Sequence, residues 1–116
     1  MTLRWQCIVV DCRDARRVAE FWSQVFQLPL QGSDDGDWWI ELGGDSPDIL
    51  FLEVPEKKTV KNRLHLDLRP DQQDAEVRRL ELLGARRVDI GQGDVTWVVM
   101  ADPEGNEFCV LRPLPA

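Results

Sequence analysis

The feature that most constrains this chain is a weak internal repetition. Half of its 116 residues is 58, and a shift of 58 lays Trp39 on Trp97, Ile40 on Val98, Leu42 on Met100, Leu50 on Phe108, Leu52 on Val110 and Pro55 on Pro113. Identity is sparse, but the order of segments recurs. Each half opens with an alternating stretch, residues 4–10 or 63–69, followed by Asp-rich residues able to cap a helix, a helical stretch, and short strand-like pieces broken by Gly and Asp. Self-similarity of this kind marks a duplicated supersecondary unit that must be recognised before single elements are assigned.

In the first half, Val18, Phe21, Trp22, Val25 and Phe26 fall at i, i+3, i+4, i+7 and i+8, and Arg16, Arg17, Glu20, Ser23 and Gln24 take the opposite side. This is one apolar stripe, with Asp14 placed to cap the helix start. The second helix, predicted over residues 72–83, carries a thinner stripe of Val77, Leu80 and Leu83 and stops at Gly84. The polar, basic stretch 55–63 is the connector. The result is one domain over residues 1–116, with a first module over about 1–56 and a second over about 62–116. A helix with one apolar face must cover a sheet, so the fold class is α+β, with the two sheets joined into one curved surface and both helices outside. The other face of that sheet calls for a cover, from a partner subunit, a ligand or both.

Charge narrows the partners. The chain has 14 Lys+Arg against 21 Asp+Glu, a formal net charge of −7. That excess of acid argues against a nucleic-acid backbone or an anionic membrane and leaves neutral or cationic partners open. The apolar runs are too short to span a bilayer, and Met1 is not followed by a basic and then an apolar leader segment, so a cytoplasmic location is expected. Three cysteines, Cys7, Cys12 and Cys109, cannot all pair within the chain and read as free thiols in a reducing compartment.

Three stretches together resemble a known family. They are Val10-Asp11-Cys12 with the Phe21-Trp22 helix, the run from Lys61 through His65 to Asp67, and Asp102-Pro103-Glu104-Gly105-Asn106 leading into Glu107-Phe108-Cys109-Val110. The chain resembles the vicinal oxygen chelate superfamily, which includes glyoxalase I, extradiol dioxygenases and bleomycin-resistance proteins, and in it the glyoxalase-like branch common in actinobacteria. The resemblance implies two tandem βαβββ modules, a U-shaped mixed eight-stranded sheet with helices on the convex side, and a homodimer. The Asp-Pro-Glu-Gly-Asn turn also stands on local physics, because Pro103 fixes φ and Gly105 can take φ > 0, while Asp102 and Asn106 can bond nearby backbone.

Strand alternation sorts the side chains. Leu64, Leu66 and Leu68 share one face and are expected under a helix, which sends His65, Asp67 and Arg69 to the other. Likewise Phe108 and Val110 face a helix and Glu107, Cys109 and Leu111 face away. Under the 58-residue shift His65 maps to Cys7 and Cys109 to Phe51. The predicted wall of the site therefore includes Trp5, Cys7, Trp39, Glu41, Phe51, Glu53, His65, Asp67, Trp97, Glu107 and Cys109. Trp22 and Trp38 are assigned to the core.

In the metal-using members of the family that this chain resembles, four positions supply ligands, one on the first and one on the last strand of each module. Here they correspond to Cys7, Phe51, His65 and Cys109, of which only His65 conforms. A hard cation is poorly served by two thiols and a phenyl ring. Cys7, His65 and Cys109 could instead form a Cys2His zinc set with one open position, or the two cysteines could simply be apolar filler.

His65, the only histidine, is the natural general acid or base, with Glu107 and Glu53 as carboxylate alternatives if burial raises their pKa. Five Trp exceed four Phe, and Tyr is absent. Trp5, Trp39 and Trp97 can form flat walls for a planar or cationic ligand, or they can bury a dimer interface.

Two functional readings follow, beside a third in which the sheet face is mostly dimer interface. The first is a small-molecule binding protein that sequesters a neutral or cationic aromatic compound, as antibiotic-resistance members of the family do, and requires no cofactor. The second is a metal-dependent lyase or isomerase of glyoxalase type with an unusual metal site, zinc if any.

Overall fold

The structure is a computed structural model and describes residues 2–115. These divide into two compact units, with the boundary between Lys57 and Lys58. The first contains β1 (Cys7–Cys12), α1 (Ala15–Phe26), β2 (Gln31–Gly32), β3 (Trp38–Ile40) and β4 (Asp48–Glu53). The second repeats that order with β5 (Leu66–Leu68), α2 (Gln73–Leu83), β6 (Arg86–Arg87), β7 (Val98–Ala101) and β8 (Glu107–Val110). Each unit is a βαβββ module around one mixed four-stranded sheet, ordered β1-β4-β3-β2 and β5-β8-β7-β6, in which only the first and last strands run parallel.

Helix α1 forms where its stripe predicts. The Asp14 carboxylate accepts from the Arg17 N–H at 3.2 Å, satisfying one of the unpaired donors at the helix start. Val18, Phe21, Trp22 and Val25 are buried against β1, β3 and β4, each contributing about 1.5–3 kcal/mol. The Trp22 ring meets Phe21 edge-on and stacks on Phe26. Helix α2 buries Val77 and Leu80 and ends at Gly84, whose φ of 116° suits glycine. Its start has no side-chain cap. Instead the Gln73 amide nitrogen donates to the carbonyls of Thr96 and Val110, tying the first turn to the β7 approach and the end of β8.

The opening strands differ from the sequence expectation. Pairing begins at Cys7 and at Leu66, so Trp5 precedes β1 and is 70 % exposed, and Leu64 precedes β5 and is 89 % exposed. Leu64 therefore does not pack under a helix. Alternation gives it the right parity, but the backbone there has not yet joined the sheet.

The repeat itself has no single shift. Ile8 pairs with Ile49 and Leu66 with Phe108, so first strands correspond at 58 residues and last strands at 59. Ile40 pairs with Ile49 and Met100 with Phe108, so the third strands correspond at 60. A one-residue slip exchanges the two faces of a strand. The true counterpart of Cys109 is thus Leu50, and Phe51 corresponds to Val110.

Candidate ligand site in the second module

The site begins with register. Asp67 on β5 lies directly opposite Cys109 on β8, and paired residues project from the same face. Val99 on β7 is paired with Cys109 from the other side, so the three share the face turned away from Phe108, Val110 and the α2 core. His65, two residues before Asp67, joins them: its Nε2 lies 3.2 Å from Asp67 Oδ1. The His65 nitrogens, the Asp67 carboxylate and the Cys109 sulfur each offer one atom within 4.8 Å of the others.

This cluster lines a cavity of about 380 Å³. Apolar walls come from Ile90, Trp97, Val99 and Leu111, and Gln92, Glu107 and Lys61 complete the polar lining. The 88–97 loop carries its own bonds, with the Gln92 amide oxygen accepting from Ile90 N and Asp89 Oδ1 accepting from Gly91 N, both at 2.8 Å. The loop thereby presents Ile90 and Gln92 to the cavity.

Glu107 organises a further part of the lining. Its Oε2 accepts from Lys58 Nζ and its Oε1 from the Asn62 N–H, both at 2.8 Å, and its own carbonyl accepts from Asn62 Nδ2. The Lys58 and Glu107 side chains are only 18 % and 11 % exposed. Burial alone would push the Glu107 carboxyl up, but the Asn62 backbone N–H, the Lys58 ammonium and a backbone bond at Glu107 itself outweigh it and hold the group below its ordinary value. Glu107 is therefore an ionised anchor and lacks the raised pKa that the sequence reading required of a proton donor. At Cys109 the balance is the reverse. Burial, the neighbouring Asp67 charge and the thiol's hydrogen bond to that carboxylate push the thiol up, against a weaker pull from Lys61. The sulfur is thereby kept as a thiol rather than a thiolate nucleophile.

Of the residues predicted for the site, His65, Asp67, Trp97, Glu107 and Cys109 line this one cavity. The rest lie in the first unit. Cys7 and Trp39 are on the sheet face turned away from α1, together with Leu50, the register partner of Trp39, and the Trp39 indole nitrogen lies 3.4 Å from Glu41 Oε1. Trp5 donates to the Cys7 carbonyl. Phe51 requires correction. It is 1 % exposed and shares the α1 side of the sheet with Ile40, Ile49 and Trp38, whose ring carries the Arg16 guanidinium 5.4 Å from its centroid. Glu53, two residues on, has the same parity and is exposed. A constant 58-residue shift placed both on the wrong face. Beside His65 and Cys109 the structure brings Asp67, whereas Cys7 belongs to β1 of the first unit.

Lys61, Ile90 and Gln92 escaped the sequence reading because they lie outside regular elements. Val99 was legible in principle, since it alternates with Trp97.

The donor set can be tested against the divalent metal that the fold implies. One nitrogen, one carboxylate and a buried, protonated thiol do not make an oxygen-rich site for a hard cation, and the structural counterpart of Cys109, Leu50, offers no lone pair. The set is chemically compatible with zinc, whose binding would deprotonate the Cys109 thiol.

Paired βαβββ modules with a cavity over the β5–β8–β7 face define a glyoxalase-type architecture. The chain belongs to the glyoxalase-like domain family, whose model matches residues 7–111. No curated protein sequence matches it. Among solved structures it is similar to a glyoxalase/bleomycin resistance protein/dioxygenase family enzyme from Burkholderia phytofirmans PsJN, with 18 % identity, TM-score 0.74 and coverage of 97 % of this chain and 100 % of that one. It is also similar to the fosfomycin resistance protein FosX from Mesorhizobium loti, at 17 % identity and TM-score 0.71, covering 96 % and 92 % of the two chains. TnmS3, an antibiotic binding protein from Streptomyces sp. CB03234, matches at 22 % identity and TM-score 0.64, covering 98 % and 99 %. These likenesses establish the fold.

Proposed function

We propose that this protein binds and sequesters a planar aromatic small molecule, neutral or cationic, in the cavity of its second module. The observation that carries the reading is the lining of that cavity: Trp97, Ile90, Val99 and Leu111 supply apolar walls, and they converge on the His65–Asp67 pair as the polar contact. A mostly apolar pocket with a few placed polar groups is the ordinary form of a small-molecule site. A ligand ring would lie against Trp97, and a donor or cationic group on it would reach Asp67. The likeness to TnmS3, an antibiotic binding protein, supports sequestration as a use of this fold. Titration with an aromatic library, followed by tryptophan emission in metal-free buffer, tests the reading. Saturable quenching that is lost in Trp97→Ala is expected, and a library without any saturable response would overturn it.

A homodimer belongs to the same proposal, supported by the exposure of Trp5 at 70 % and Val9 at 45 % near the first strand. So does a cytoplasmic, reducing location, supported by three free cysteines. No helix among the described residues is long and apolar enough to cross a membrane.

The second reading is a zinc-dependent lyase or isomerase, favoured by the nitrogen, oxygen and sulfur donors of His65, Asp67 and Cys109. Zinc bound there would act as a Lewis acid toward a substrate oxygen. Elemental analysis of protein purified without added metal decides between the two, with near-stoichiometric zinc favouring catalysis and its absence favouring sequestration.

A further inference from the structure

We propose that Glu107 is a latch that holds residues 58–62 along the cavity rim, so that the Lys61 ammonium faces the bound compound and selects for an acceptor oxygen on it. The inference rests on the reading of this cavity as an aromatic-compound site and names which compounds it prefers.

The connector has little else to hold it. Among the described residues, 55–63 make no backbone-to-backbone hydrogen bond. The bonds tying the segment to β8 are those of Glu107, from Lys58 Nζ, the Asn62 N–H and Asn62 Nδ2. All are to one residue at the first position of β8, two residues from Cys109. Between the two anchored positions sits Lys61, which lines the cavity and hydrogen-bonds no side chain among the described residues, its Nζ donating to the Asn62 carbonyl at 3.2 Å. Lys61 is also close enough to Cys109 for its charge to act on the thiol, as Asp67 does with the opposite sign. The cavity therefore carries a cation and an anion that both act on one sulfur. Lys58 and Glu107 neutralise each other, so neither is free to meet a ligand charge.

Such a dipolar polar end suits a compound that offers a hydrogen-bond donor to Asp67 and an acceptor oxygen to Lys61, against the Trp97 ring. A purely cationic aromatic satisfies Asp67 and leaves Lys61 facing like charge. Glu107 is a positioning residue in this scheme, and Lys61 is the contact.

Three naphthalene probes of similar size separate the terms: 2-naphthamide, 2-naphthoate and 2-naphthylmethylammonium, titrated calorimetrically against the full chain. The amide, with both groups, is expected to bind tightest. Lys61→Met is expected to weaken the amide and the carboxylate about tenfold and leave the ammonium compound unchanged or tighter. Glu107→Gln is expected to reproduce that change in ranking. Lys58→Met, which removes the buried cation from the latch while leaving Glu107 in place, is the second variant and is expected to shift the same ranking if Glu107→Gln fails to fold. Binding of the probes with the ranking unchanged in Lys61→Met overturns this inference and leaves the aromatic site standing. A ranking changed by Lys61→Met but by neither latch variant overturns the role of Glu107. Failure of all three probes to bind overturns the site itself and the inference with it.

Discussion

Replacing Asp102 tests how the site is held in register. This carboxylate is fully buried, 0 % exposed, at the turn between β7 and β8. Its Oδ1 accepts from the N–H groups of Glu104 and Asn106 at 2.9 Å, and its Oδ2 accepts from Asn106 Nδ2 at 3.0 Å. Asp102→Ala strands two backbone donors and one amide. An unpaired buried donor costs about 1–3 kcal/mol, so a loss of about 3 kcal/mol is expected, which at this chain length lowers Tm by about 10–15 °C. Asp102→Asn retains an acceptor oxygen for both N–H groups and loses only the Asn106 side-chain bond, for about 1 kcal/mol. Thermal and urea unfolding of the two variants measure the difference. Because Val99 and Cys109 are paired through this hairpin, the alanine variant is also expected to bind any cavity ligand more weakly below its transition. An Asp102→Ala protein melting within about 3 °C of the parent would refute the reasoning, as would equal losses in the two variants.

Three further outcomes follow from the same geometry. Phe51→Leu is expected to cost about 1–1.5 kcal/mol of stability and leave the affinity of a cavity ligand unchanged, because Phe51 lies under α1; unfolding curves and titration read the two effects separately. Since Glu107 has a lowered pKa in the fold, its contribution to stability is complete above the unfolded carboxylate pKa and is lost as pH falls through the folded value, so Glu107→Gln is expected to flatten the acid limb of a stability-versus-pH curve. Asp67→Asn removes the charge that helps push the Cys109 thiol up, so at a fixed pH near 8 the variant is expected to react faster with a small thiol reagent, once the rates of Cys7 and Cys12 have been subtracted using Cys109→Ser.

Much of the fold was legible because its elements advertise themselves. The α1 stripe, the Asp14 cap, the Gly84 stop and the Asp102 turn are local patterns, and the structure forms each where the residues indicate. The His65–Asp67–Cys109 face followed from alternation within single strands, which requires no long-range knowledge. Phe51 and Glu53 were misplaced for a different reason. Their expected face rests on a constant shift between the modules, and the modules differ by a residue between first and last strands and by another at the third. Such length differences reside in loops, where a weak repeat leaves no identity to mark them. Lys61, Gln92 and Ile90 were illegible for a related reason: each reaches the cavity from irregular backbone placed by side-chain bonds, and no periodicity records that.

The central claim is that a planar compound lies against Trp97 in the cavity of the second module. Calorimetric titration of 2-naphthamide into the parent protein and into Trp97→Ala, in metal-free buffer and below the melting transition of both, tests it most directly. The account predicts saturable binding to the parent and at least about a tenfold loss in the variant, as expected when an aromatic wall is removed. Equal affinity for the two proteins would contradict it.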